Sequence, residues 1–66
     1  MSEPSSPREI EEAMITFGGS FVAQLGRLFR LADSVNHERL RDAFADYWRK
    51  YDHIARETRE RRQAAR

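Results

Sequence analysis

Sixty-six residues allow one domain, and so short a chain buries only about 60% of the surface its unfolded form exposes. It has no cysteine, which excludes disulfides, thiolate metal sites and cysteine nucleophiles, and leaves self-association as the main route to a stable fold. Twelve basic residues nearly balance eleven acidic ones, so the whole chain has no strong pull toward polyanions.

The charge is nonetheless uneven. Glu3, Glu9, Glu11 and Glu12 open the chain, while Arg56, Arg59, Arg61, Arg62 and Arg66 close it with only Glu57 and Glu60 between them. An acidic start and a basic end suit either pairing of the termini or a charged tail for a partner. No apolar run approaches the ~20 residues of a membrane span, and no signal-peptide pattern opens the chain. The expected setting is the cytoplasm.

Residues 1–6 read as a disordered leader. Ser6-Pro7-Arg8-Glu9 then carries a helix start: serine caps, glutamate three positions on reaches back, and proline suits the first helical position. The first helix is predicted over about 7–15, with Ile10, Ala13, Met14 and Phe17 at helical spacing. Met14-Ile15-Thr16-Phe17 is also compatible with a brief extended piece, and Met14 with a start of its own.

Gly18-Gly19 marks the clear break, with Phe17 and Phe21 expected to staple its two sides. No Gly-Lys-Ser/Thr follows, so a phosphate loop is rejected. A second helix is predicted over about 20–32, with Phe21, Val22, Leu25, Leu28, Phe29 and Ala32 on one face. Gly19, Ala23 and Gly26 form a small-residue stripe beside it. A mid-helix glycine costs about 1 kcal/mol, so Gly26 implies the close approach of another helix or a large ring. Leu31 lies off the main arc and would widen any contact surface.

Asp33-Ser34-Val35-Asn36 is a short connection, with Asn36 expected as the cap of a third helix over about 37–60. Its apolar stripe, Leu40, Phe44, Tyr47, Tyr51 and Ile54, alternates steps of four and three. The short connection makes helices two and three antiparallel neighbours. Asp46 to Lys50, Asp52 to Arg56 and Glu57 to Arg61 are acid-first pairs at four-residue spacing; Asp42 and Asp46 repel. Residues 59–66 read as a basic tail.

Chemistry is not evident. His37-Glu38 opens like a metalloprotease helix, but Arg41 stands where the second histidine belongs. Asp52 and His53 are adjacent, so their side chains diverge. No nucleophile, base and orienting group can be assembled, and the chain is read as a non-enzyme without cofactor or metal.

The expected fold is therefore all-α: an antiparallel hairpin of helices two and three, with a short N-terminal helix, dimerising into a bundle. The homodimer is expected to centre on Phe21, Leu25, Leu28, Phe44, Tyr47, Trp48 and Tyr51. Arg56, Arg59, Arg61, Arg62 and Arg66 are candidate contacts for nucleic acid or an acidic partner. A helix-turn-helix does not fit, since both helices are too long and no base-reading cluster opens the third.

The run Phe17-Gly18-Gly19-Ser20-Phe21, with Leu25, Leu28, Ala32-Asp33, Asn36, Leu40, Ala43-Phe44, Tyr47-Trp48 and Tyr51, resembles small helical proteins encoded by phages and prophages. The resemblance covers residues 14–52 and brings no functional residue with it. It implies a setting in which short helical proteins act by binding a host or virion protein, and it favours Met14 as an original start; a small virion or assembly component is a further alternative.

Overall fold

The computed structural model describes residues 5–64 and is all-helical. Four helices follow one another: α1 (Pro7–Phe17), α2 (Gly19–Leu31), α3 (Ser34–Ala43) and α4 (Ala45–Ala64). The residue before α1 does what its type dictates. Ser6 Oγ accepts from the Glu9 amide at 3.3 Å, and the Ser6 amide donates to Glu9 Oε1 at 2.9 Å. With Pro7 in the first turn, this is a complete capping box.

Helix α1 runs on to Phe17, so Met14–Phe17 is helical and not extended. Gly18 ends α1 and caps α2 in one residue, and Gly19 takes φ 70°, a conformation natural to glycine. A Cβ on Gly18 would strike the Met14 carbonyl oxygen and lie 2.5 Å from Val22 Cγ1. The connection is tight enough that α1 and α2 fold back on each other.

Gly26 meets the expectation placed on it. A Cβ there would lie 3.0 Å from the Glu11 carbonyl oxygen and from Met14 Cβ, so the backbone of α1 occupies that space. The closest pairings are α1 with α2 and α1 with α4, which departs from the expected hairpin of helices two and three. The open stripe at Gly26 admits α1, and α1 thereby becomes the centre of the fold.

The expected single helix over 37–60 is broken at Phe44, whose backbone turns to φ −120°, ψ 39°. The Phe44 amide still donates to Leu40 at 2.9 Å, and the Trp48 amide to the Phe44 carbonyl at 3.0 Å. No proline or glycine causes the break. The Phe44 ring turns instead toward Phe21 and Tyr47, each 6.3 Å away between centroids. The cap of α3 is Asp33, not Asn36: Asp33 Oδ1 accepts the Asn36 amide at 2.8 Å. Helix α3 thus starts one turn early.

The core consists of Ile10, Ala13 and Met14 of α1, Val22, Leu25 and Phe29 of α2, and Tyr51 and Ala55 of α4. Each large apolar side chain so buried contributes ~1.5–3 kcal/mol. Helix α3 adds no buried residue; Leu40 and Phe44 pack partly against the core.

The two ends also depart from expectation. Ser5 is buried, its amide donating to Asp52 Oδ1 at 3.2 Å and its hydroxyl to the Asp52 carbonyl at 3.3 Å. Ser5 and Ser6 therefore belong to the fold, while residues 1–4 of the expected leader lie outside the described residues. Of the expected basic tail, residues 59–64 continue α4 as helix, and Arg66 lies outside the described residues. Among the described residues, no helix is long and apolar enough to cross a membrane.

Candidate functional site

Helix α2 carries two apolar arcs. Val22, Leu25, Gly26 and Phe29 form the first and are buried against the rest of the chain. The second is open: Phe21 is 61% exposed, Leu28 49% and Leu31 84%, with Val35 at 60% just beyond the turn into α3. Phe21, Gln24, Leu28 and Leu31 follow steps of three, four and three, so they line one strip of the helix.

This face has a rim on the α3–α4 side. Phe21 lies 6.3 Å from Phe44 edge-on and 6.1 Å from Tyr47 between ring centroids. Leu28 and Leu31 border an open groove of about 510 Å³ whose other wall is Leu40, Ala43 and Arg39. Rings at such separations attract beyond their buried area, so Phe44 and Tyr47 are held in place while Phe21 remains half in water.

The seven expected interface residues accordingly divide. Phe21 and Leu28 are exposed; Phe44 and Tyr47 are half-buried at the rim. Leu25 and Tyr51 are in this chain's own core, which removes them from any surface. They are buried because α1 packs against both α2 and α4, a role its short apolar pattern did not reveal. Trp48 is half-buried, turned toward Phe29 at 4.8 Å and toward His37 at 5.4 Å. Leu31 and Val35 join the open face instead.

A second cluster ties together the four helices. Glu11 of α1 is buried among the core residues, and its carboxylate accepts from His37 Nε2 at 3.0 Å. Arg30 Nε stands 3.7 Å from the other oxygen of Glu11, and Arg30 Nη2 donates to Glu12 at 2.6 Å. The His37 ring meets Phe29 edge-on at 5.0 Å, and the Arg41 guanidinium lies 5.7 Å over Trp48. A wide depression of about 810 Å³ opens beside these groups, bordered also by Arg8 and Glu38. Its lining mixes Arg8, Arg30 and Arg41 with Glu11 and Glu38, so it does not concentrate one sign of charge for a ligand.

His37, which opens the incomplete metalloprotease pattern, is paired with α1 instead. The signal for its partner lay in α1: Glu11 shares helical spacing with Met14, Ile15 and Gly18, on the face that turns inward.

The basic end is partly neutralised. Arg56 Nε lies 3.6 Å from Asp52, and Arg59 Nη1 is 3.5 Å from Glu9. Arg56 Nε is buried without a hydrogen bond, so its ion pair with Asp52 is what offsets its burial. Asp46 pairs with Arg49 at 3.0 Å and Glu57 with His53 at 2.6 Å, in place of the expected partners Lys50 and Arg61. Arg61 and Arg62 are exposed in the last turn of α4.

Among the described residues, no group of three His, Asp or Glu side chains could hold a metal ion. No protein-family model matches the chain, and neither the curated proteins nor the solved structures yield a match.

Proposed function

We propose that this chain is a non-enzymatic interaction protein that works by association and by covering a site on another protein. The setting is the cytoplasm, and if the chain is phage-encoded, as its resemblance suggests, the target is a host protein. The observation that carries this reading is the open apolar face of α2, edged by Phe44, Tyr47 and Arg39. A fold this small has little apolar surface to spare, and a contiguous exposed patch usually marks an interaction site. Aromatic and arginine side chains are also the types that dominate binding at interfaces.

The test is a comparison of captures. The tagged chain and its Leu31→Glu variant are exposed to the same host extract, and the bound proteins are identified by mass spectrometry. The reading expects a protein retained by the first and lost from the second. Identical captures would refute it.

A second reading, an accessory nucleic-acid binder, rests on Arg61 and Arg62 at the end of α4. Arginines contacting phosphates would give retention on DNA or RNA that falls steeply with salt. The pairing of Arg56 and Arg59 with carboxylates draws on the same charge and makes this the weaker reading. Deletion of residues 56–66 separates the two, since it abolishes salt-dependent retention only if the second holds.

A further inference from the structure

We propose that the open face of α2 pairs with the same face of a second copy of this chain, two-fold and antiparallel, along Phe21, Gln24, Leu28 and Leu31. The proposal rests on the reading of this face as an interaction surface and names its first occupant. It also relocates the self-association expected from sequence, since Leu25 and Tyr51 are consumed by the core of each chain.

Three observations support a second copy in particular. The first is spacing. Steps of three, four and three are those of a coiled-coil seam, in which each side chain seats between residues of a facing helix. The pattern reads the same in both directions about the level of Gly26. In antiparallel register Phe21 therefore faces Leu31 of the other copy, and Gln24 faces Leu28. A self-complementary pattern is what an isologous contact requires.

The second is area. Between 49% and 84% of each of Phe21, Leu28, Leu31 and Val35 is exposed, and with the rim these come to roughly 500 Å² on one chain. Two such faces reach the ~1,000 Å² that a specific interface needs. The third is chemistry: Gln24 is the lone polar residue of the strip. A single polar side chain in an apolar seam sets register at a cost in stability.

Arg27 flanks the strip and meets its own copy across the axis. Those like charges oppose pairing, and salt screens them. In the pair, Phe44 and Tyr47 from both chains close the edges of the seam.

Sedimentation of the full chain tests this. The expected species at micromolar concentration is twice the 7.8 kDa of one chain, strengthened by added salt. Leu31→Glu should sediment as a single chain with its helical circular dichroism unchanged, because Leu31 is 84% exposed and contributes little to the core. Gln24→Leu should tighten the pair at least ~tenfold. A single-chain mass for the parent protein, or a Leu31→Glu variant that still pairs, would overturn the proposal. If the parent is a single chain and Leu31→Glu still loses a captured host protein, the second copy is wrong and the interaction reading stands. If Leu31→Glu changes neither mass nor capture, both fall.

Discussion

His37 of α3 and Glu11 of α1 meet at 3.0 Å across 26 residues of sequence, and their bond joins a helix with no buried residue to one with four. Helix α3 has no buried residue of its own. Its hold on the molecule therefore depends on this bond, on the ring contacts of His37 and Arg41 with Phe29 and Trp48, and on the packing of Leu40 and Phe44. His37→Ala leaves a buried carboxylate short of a donor, which should cost about 1–3 kcal/mol. Amide exchange should speed up throughout α3 while α1 and α2 stay protected. Equal acceleration in all four helices would show that the bond does not secure α3 in particular.

At Gly26 the usual rule of helix propensity should reverse, because a backbone carbonyl stands against the site. Alanine at a mid-helix glycine normally stabilises by up to about 1 kcal/mol. Here the added Cβ would press on the Glu11 carbonyl and Met14. Gly26→Ala should instead destabilise by about 1–3 kcal/mol, as overpacking does. A urea midpoint that rises for this variant would contradict the close contact of α1 and α2.

The two arcs of α2 should respond unequally to the same change. Leu25→Ala removes a buried side chain and should cost ~2–5 kcal/mol. Leu28→Ala, on the half-exposed arc, should cost under about 1 kcal/mol in the single chain. Denaturant unfolding at low protein concentration measures both, and comparable losses would place Leu28 in the core.

A chain shortened to begin at Met14 tests the importance of α1. It would lose the Ser6 cap, Ile10, Glu11 and Ala13, and with them the partner surface for α2 and α4. It should show no cooperative thermal transition. The resemblance that favours Met14 as an original start requires the opposite, a folded shorter chain.

What could be read from sequence follows from where the determining forces are local. The Ser6–Glu9 box and the Gly18–Gly19 turn act within a few residues, and both are present as expected. Gly26 was legible because a costly residue demands a neighbour, although the neighbour's identity was not. The break at Phe44 was hidden because nothing in its immediate sequence forbids a helix; it coincides with the ring's contacts to Phe21 and Tyr47. A faint signal existed in charge, since Arg41 suits a helix end and Asp46 a helix start. Tyr51 was misplaced because its burial depends on the packing of α4 against α1, more than thirty positions away in the chain. For the open face, Phe21 and Leu28 were legible as a surplus of apolar residues. The full extent of the strip, with Leu31, required knowing which arc α1 covers.

The clasp between Ser5 and Asp52 has a bearing on how fast the chain folds. These residues are 47 positions apart, and Glu9 and Arg59 are 50 apart. The seam between α1 and α4 thus closes across most of the chain, whereas α1 and α2 meet through a single-residue turn. Small helical proteins fold quickly because their contacts are local, and closing a long loop forfeits that advantage. The α1–α2 pair should form early, with the docking of α4 as the slow step. Substitutions at Ala55 or Asp52 should then chiefly alter the unfolding rate, and those at Met14 or Val22 the folding rate.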